Sequence, residues 1–233
     1  RVELEVERNV KELDAILPHA PEVDRAFYRG VWYDQEMQHG RILDRLKAEL
    51  GLPPAEPLTE VGGPIKALAV AAHLKPIQDV VRAVYYFTGA STERQAVLAY
   101  SALIERLEDM GEDAVAQTVV QPIKRQEPGH FAFYSLSATK IVPELKPWQL
   151  WLARQLRARS YELVGTHHDP RYQAQMGGVS EVLGFAADPR DYAREIGRLE
   201  ARVLWANRHG MEFPPYVLEA IEESRRLYAT GRG

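Results

Sequence analysis

Apolar positions recur every three to four residues along most of the chain, with no convincing alternation of period two, and this pattern predicts an all-α protein. Residues 1–17 place Val6, Val10, Leu13 and Leu17 on one face, and Pro18 closes the segment. A second helix is predicted from about Val23 to Leu50, stopped by Gly51 and the run PPAEP. A loop through EVGGP leads to a shorter apolar helix, Ile65 to Leu74, ended by Lys75-Pro76. The third long helix should run from about Gln78 to Leu107, and Gly111 marks the turn to a fourth, Asp113 to Ile141, ended by Pro143. Pro122 and Pro128 lie inside that fourth helix, where each is expected to kink it or to mark its start. Three more helical stretches, near 147–165, 189–207 and 215–229, are separated by HHDP, ADPRD and EFPPY. Breaks this short do not read as interdomain linkers. The expectation is one domain over 1–233, with a helical core over about 1–141 and extra helices over about 147–230.

Composition narrows the chemistry. The chain has no cysteine, which excludes disulfides, thiolate-bound zinc, cysteine-held iron-sulfur clusters and a cysteine nucleophile. Any metal must therefore use Asp, Glu or His. A net charge of −4 offers no basic field for nucleic acid. No apolar run approaches the roughly 20 residues needed to cross a bilayer, and no charged-then-apolar leader is found. The expected location is the cytoplasm, with neither a nucleic-acid nor a membrane partner.

Two stretches, QEMQHG at 35–40 and QEPGH at 126–130, share a Glu-x-x-His spacing. With 33 acids and 7 histidines in 233 residues, chance supplies about one carboxylate-x-x-His per chain, so register rather than number carries the signal. In the second helix the seam with steps of four and three reads Trp32, Glu36, His39, Leu43, Leu46, Leu50. The fourth repeats it as Ala116, Val120, Ile123, Glu127, His130, Tyr134, Ser137, Ile141. The third gives Tyr86, Ala90, Glu93, Val97, Tyr100, Ile104, Leu107, and the first gives Glu3, Val6, Val10, Leu13, Leu17. Each of the four helices thus points acid inward. Glu3 is selected by its seam, with Glu7 one turn away as the alternative.

Buried carboxylates protonate, find partners or bind metal. One Glu from each of two helices plus Glu-x-x-His from each of two others is the ligand pattern of ferritin-like di-metal carboxylate bundles, and mixed oxygen and imidazole donors suit iron or manganese. Antiparallel pairing agrees with it: Glu93 and Glu127 are symmetric about EDMGED, and Glu3 and Glu36 about PHAPE. The expected fold is a ferritin-like four-helix bundle core with additional C-terminal helices.

The run VWYDQEMQHG resembles the Trp-x-x-Glu-Glu-Asn-Arg-His-Gly segment of the soluble acyl-acyl-carrier-protein desaturases. TERQ at 92–95 is similar to their Glu-Arg helix, and QEPGH stands where they carry Asp-Glu-Lys-Arg-His. The likeness extends over about residues 1–141. It implies that Glu3, Glu36, His39, Glu93, Glu127 and His130 hold two irons, with Glu36 and Glu127 bridging them and Glu3 and Glu93 each holding one. Gln35, Gln38, Gln126 and Pro128-Gly129 depart from the desaturase motifs, and Ala96 replaces a Thr near their oxygen pocket. These departures weaken desaturation and leave oxygen activation as the broader expectation.

The expected function is a di-iron oxidoreductase that uses dioxygen and an external electron donor such as a ferredoxin to oxidise an apolar small-molecule or carrier-bound substrate. Manganese is an admissible occupant of one position, and a homodimer is expected. The alternative is a ferroxidase or iron-handling protein. Trp32 and Tyr134 flank the ligands and read first as core. His167-His168-Asp169 is expected to be a solvated loop, and Gly62-Gly63 and Gly177-Gly178 to be turns. The Tyr85-Tyr86-Phe87 cluster and the segment Ala67 to Leu74 are read either as the lining of an apolar channel or as core.

Overall fold

The computed structural model describes residues 1–231, with the backbone alone for 64, 66 and 67. Among the described residues the secondary structure is entirely helical. The chain divides into two compact units, Arg1–Arg82 and Ala83–Gly233.

The first unit opens with a 3-10 turn, Glu3–Glu5, that runs into α1 (Val6–Ile16). Val6, Leu13, Ile16 and Leu17 form its buried stripe. After Pro18 and Pro21, α2 (Glu22–Ala26) continues without a break through a π-helical turn, Phe27–Trp32, into α3 (Tyr33–Glu49). On this rod Trp32, Glu36 and His39 are buried as the seam predicts, but Leu43 and Leu46 are only half-buried and Leu50 is 68% exposed. Gly40 is buried instead, because the N-terminal turn lies against α3 there: a Cβ at Gly40 would sit 2.7 Å from the Leu4 side chain. α4 (Gly63–Ala72) packs on α1.

The long helix α5 (Lys75–Asp109) begins in the first unit and continues into the second. Lys75-Pro76 therefore opens a helix rather than closing one. Proline lacks only an N–H that the first turn leaves unsatisfied anyway, and its fixed φ suits that position. The same logic corrects the expected fourth helix. α6 (Asp113–Val115), a π-helical turn (Ala116–Val120) and α7 (Gln121–Lys124) run on without a break, and after a turn at 125–126 the chain restarts as α8 (Glu127–Ile141). Pro122 lies inside that unbroken run, directly after the π-helical turn, whereas Pro128 stands in the first turn of α8, where its missing N–H leaves no internal hydrogen bond unmade. α9 (Pro147–Ser160), α10 (Pro170–Val182), α11 (Pro189–Leu199) with a trailing π-helical turn (Glu200–Leu204), and α12 (Pro215–Ala229) all begin the same way.

α10 replaces the Gly177-Gly178 turn expected from the sequence. Both glycines lie inside it, where α10 meets α12: a Cβ on Gly177 would clash with the Ser224 carbonyl and lie 2.8 Å from Tyr228 Cβ. Helix propensity alone favours Ala over Gly by about 1 kcal/mol at an interior position. Contact with backbone reverses the sign. Gly177→Ala is expected to destabilise by about 1–3 kcal/mol in urea unfolding, the usual range for overpacking, and a gain in stability would refute the close approach.

His167 and His168 both take left-handed conformations, with φ of 50° and 52°, in the loop before α10. Asp169 caps that helix by accepting from Arg171 N, and the Arg171 guanidinium holds its carboxyl down at about 2. Glu162 receives the His168 backbone N–H at 2.7 Å. The three residues form a helix entrance rather than a metal cage.

Candidate metal centre

In the second unit, α5 presents Glu93 and α8 presents Glu127 and His130, all three at most 3% exposed. Glu127 is the first residue of α8. His130 Nδ1 lies 3.4 Å from Glu93 Oε2 and 3.5 Å from Glu127 Oε2. These separations exceed the ~2.7–2.9 Å of a strong charge-assisted hydrogen bond. They match donors sharing one cation: two atoms about 2.1 Å from an ion and at roughly tetrahedral or octahedral angles stand about 3.0–3.5 Å apart. Burial pushes the Glu93 carboxyl up to about 8; the His130 imidazole opposes this, and the charge of Glu127 adds to it.

In the first unit, Glu3, Glu36 and His39 each offer a donor atom within 4.8 Å of the other two. Glu36 and His39 are buried and Glu3 is half-buried. His39 Nδ1 and Glu36 Oε1 are 3.9 Å apart. Glu7 is exposed and ion-paired with Lys11 at 2.8 Å, which removes it as a candidate ligand. Glu5, off the predicted seam, is nonetheless 1% exposed. Its carboxylate accepts from Arg1 at 2.5 Å and from Leu58 N at 3.3 Å, with Arg8 3.9 Å away. The seam missed it because Glu3–Glu5 is a 3-10 turn, whose three residues per turn place neighbours differently from an α-helix.

Each unit therefore contains a compact group of two carboxylates and one imidazole able to hold a metal ion. The donors are hard oxygens and borderline nitrogens, a set compatible with several divalent metals.

The aromatic neighbours have clear structural roles. Trp32 is buried in the π-helical turn one turn before Glu36. Tyr134, fully buried one turn beyond His130, shares a 2.8 Å hydrogen bond between its hydroxyl and that of Tyr85, and the two rings meet edge to face. Gly89 makes room for it, since a Cβ there would lie 2.5 Å from Tyr134 Cε1. Tyr86 and Phe87 are buried core, whereas Val70 and Leu74 are exposed, 76% and 63%. The Ala67 side chain lies outside the described residues.

The C-terminal helices brace α5 around Glu93. Arg157 on α9 is buried, with Nε and a terminal nitrogen on Glu200 Oε1 at 3.0 and 2.8 Å, its other terminal nitrogen on Thr88 Oγ1 at 3.0 Å, and its plane over the Tyr161 ring. Glu200 also accepts from the Tyr216 hydroxyl. Tyr161 and Ser91 hydroxyls lie 3.5 Å apart, and Gln95 Oε1 accepts from Val164 N at 3.1 Å. Thr88, Ser91 and Gln95 are thus held on the turns just before and after the Glu93 ligand position. Sequence reasoning missed this brace. The one available sign was a buried-face acid, Glu200, on the 189–207 pattern.

Among the described residues no helix is long and apolar enough to cross a membrane. No family model, curated protein or solved structure gives a significant match to this chain.

Proposed function

We propose that this chain is a di-iron oxidoreductase, with one ion held by Glu3, Glu36 and His39 and the other by Glu93, Glu127 and His130. The observation that carries the reading is the burial of Glu93, Glu127 and His130 at donor spacings suited to a shared cation. Isolated buried charge is costly, and a divalent ion offsets it. The bridging roles of Glu36 and Glu127, and iron as the metal, rest on the desaturase resemblance alone. When bound, the irons supply the oxidising power for a C–H or N–H bond of an apolar organic substrate, with dioxygen as oxidant and an external donor such as a ferredoxin as electron source. The chain's own contribution is ligand geometry, exclusion of water from the second-unit triad, and the Arg157–Glu200 brace that fixes α5. Oxidation of carrier-bound acyl chains is the narrower form of the proposal, and a homodimer is its expected assembly.

Protein produced with iron supplementation is expected to carry two irons per chain and to change its optical spectrum when the reduced form meets air. Only trace metal on folded protein would overturn the reading. Progressive release or mineralisation of added iron, rather than retention of two ions, would assign the ferroxidase alternative instead.

A further inference from the structure

Beside the second-unit triad, but on other faces of the same helices, runs a groove of about 440 Å³ between α5, α8 and α11 with its trailing turn. That volume falls within the range of small-ligand sites, about 300–1,000 Å³. Arg94 follows Glu93 and Phe131 follows His130, so the groove shares two helices with the candidate ligands without using their side chains.

Its charge is unbalanced. Three guanidinium groups, Arg94, Arg198 and Arg202, line it against one carboxylate, Glu195. Glu195 is already divided, one oxygen accepting from Arg94 and the other from Arg198. Among the described residues Arg202 has no acidic partner. Arg198 and Arg202 stand four residues apart, a spacing at which like charges repel on a helical surface. The rest of the lining is largely apolar: Phe131, Leu136, Ile196 and Leu199, with Leu136 70% exposed. A groove that pairs surplus guanidinium charge with an uncovered apolar wall suits a molecule with both characters.

We propose that this groove binds a small amphiphilic anion, with its carboxylate, sulfonate or phosphate head on Arg202 and its apolar body along Leu136, Phe131 and Leu199. A guanidinium gives such a head directional, charge-assisted donors. Covering Leu136 supplies the apolar part of the affinity. The inference needs no metal and stands independently of the di-iron reading.

The test is calorimetric titration of the full chain, as purified and at low ionic strength, with decanoate below its micelle concentration, with decanol, and with inorganic phosphate. Decanoate is expected to bind at least about tenfold more tightly than either of the others, since each supplies one half of the recognition. Arg202→Gln and Leu136→Asp should each weaken decanoate about tenfold or more while leaving the thermal midpoint unchanged, because both positions are exposed. Arg226→Gln, an exposed charge paired with Glu223 outside the groove, should have no effect. Equal binding of decanoate and decanol would reduce the groove to an apolar patch, and equal binding of phosphate to a general anion site; either overturns the proposal. So would no detectable decanoate binding, or equal losses in Arg202→Gln and Arg226→Gln.

Discussion

Under the di-iron proposal, His130→Ala and Glu93→Ala are each expected to reduce metal from two ions per chain to one or fewer, with the affinity of the second-unit position falling at least about a hundredfold. Changes to groups that merely orient a ligand typically cost ten- to a hundredfold. Loss of a donor from a three-residue set should exceed that. Glu7→Ala, which breaks only an exposed pair with Lys11, leaves metal content unaltered, whereas Glu3→Ala lowers it. The comparison separates the two first-helix acids directly. Loss of fold does not confound the result: removing a desolvated carboxyl relieves burial cost, so metal-free Glu93→Ala should melt no lower than metal-free wild type by more than a cavity-sized amount. Unchanged metal in both His130→Ala and Glu93→Ala would remove the second-unit triad from consideration.

The contribution of Glu93 to the stability of the metal-free protein is expected to fall as pH rises from about 4.5 to about 8. The Glu93 carboxyl has an ordinary value of 4.5 and is raised to about 8 in the folded chain, chiefly by burial. Between those values the folded state keeps a proton that the unfolded state has released. Its contribution is therefore fully present below 4.5 and is lost as pH climbs through 8, with a limiting slope of about 1.4 kcal/mol per pH unit. Glu93→Gln cannot titrate, so the difference in urea unfolding between it and wild type isolates this group. Metal uptake shows the mirror image, because binding must displace the same proton: apparent affinity rises by up to about tenfold per pH unit across the window and levels above 8. A wild-type minus Glu93→Gln difference that stays flat from pH 5 to 8 would show that Glu93 is ionised in the metal-free fold.

Glu127 and His130 were legible in the sequence because their spacing is a property of one helix: residues three apart share a face wherever the helix is placed. The same holds for Glu36 and His39. Around them legibility fades near helix ends. Glu3, Glu5 and Glu7 sit within five residues of one another. Their separate fates, candidate ligand, buried ion-pair member and exposed ion-pair member, depend on a 3-10 turn that no apolar period announces. The Leu50 end of the second seam failed for a related reason: a period identifies a face, but burial requires a neighbour long enough to cover it.

The prolines and glycines show the same division. Local chemistry says that Pro128 cannot donate a hydrogen bond, and only the chain's placement shows that it opens a segment where none is required. It says that Gly177 is a poor helix former, yet the approach of α12 makes it the residue that fits.

By itself, then, the sequence determined an all-helical chain, metal chemistry restricted to carboxylates and imidazoles, and two Glu-x-x-His pairs on buried faces. These follow from composition and from periods of three and four residues, both of which act over a single turn. The tertiary structure alone decided which first-helix acid joins Glu36 and His39, how α9 and its Arg157–Glu200 pair hold α5, and where Arg202 and Leu136 line one groove. Those outcomes depend on segments far apart in the chain, and their contacts are set by packing that no local spacing encodes.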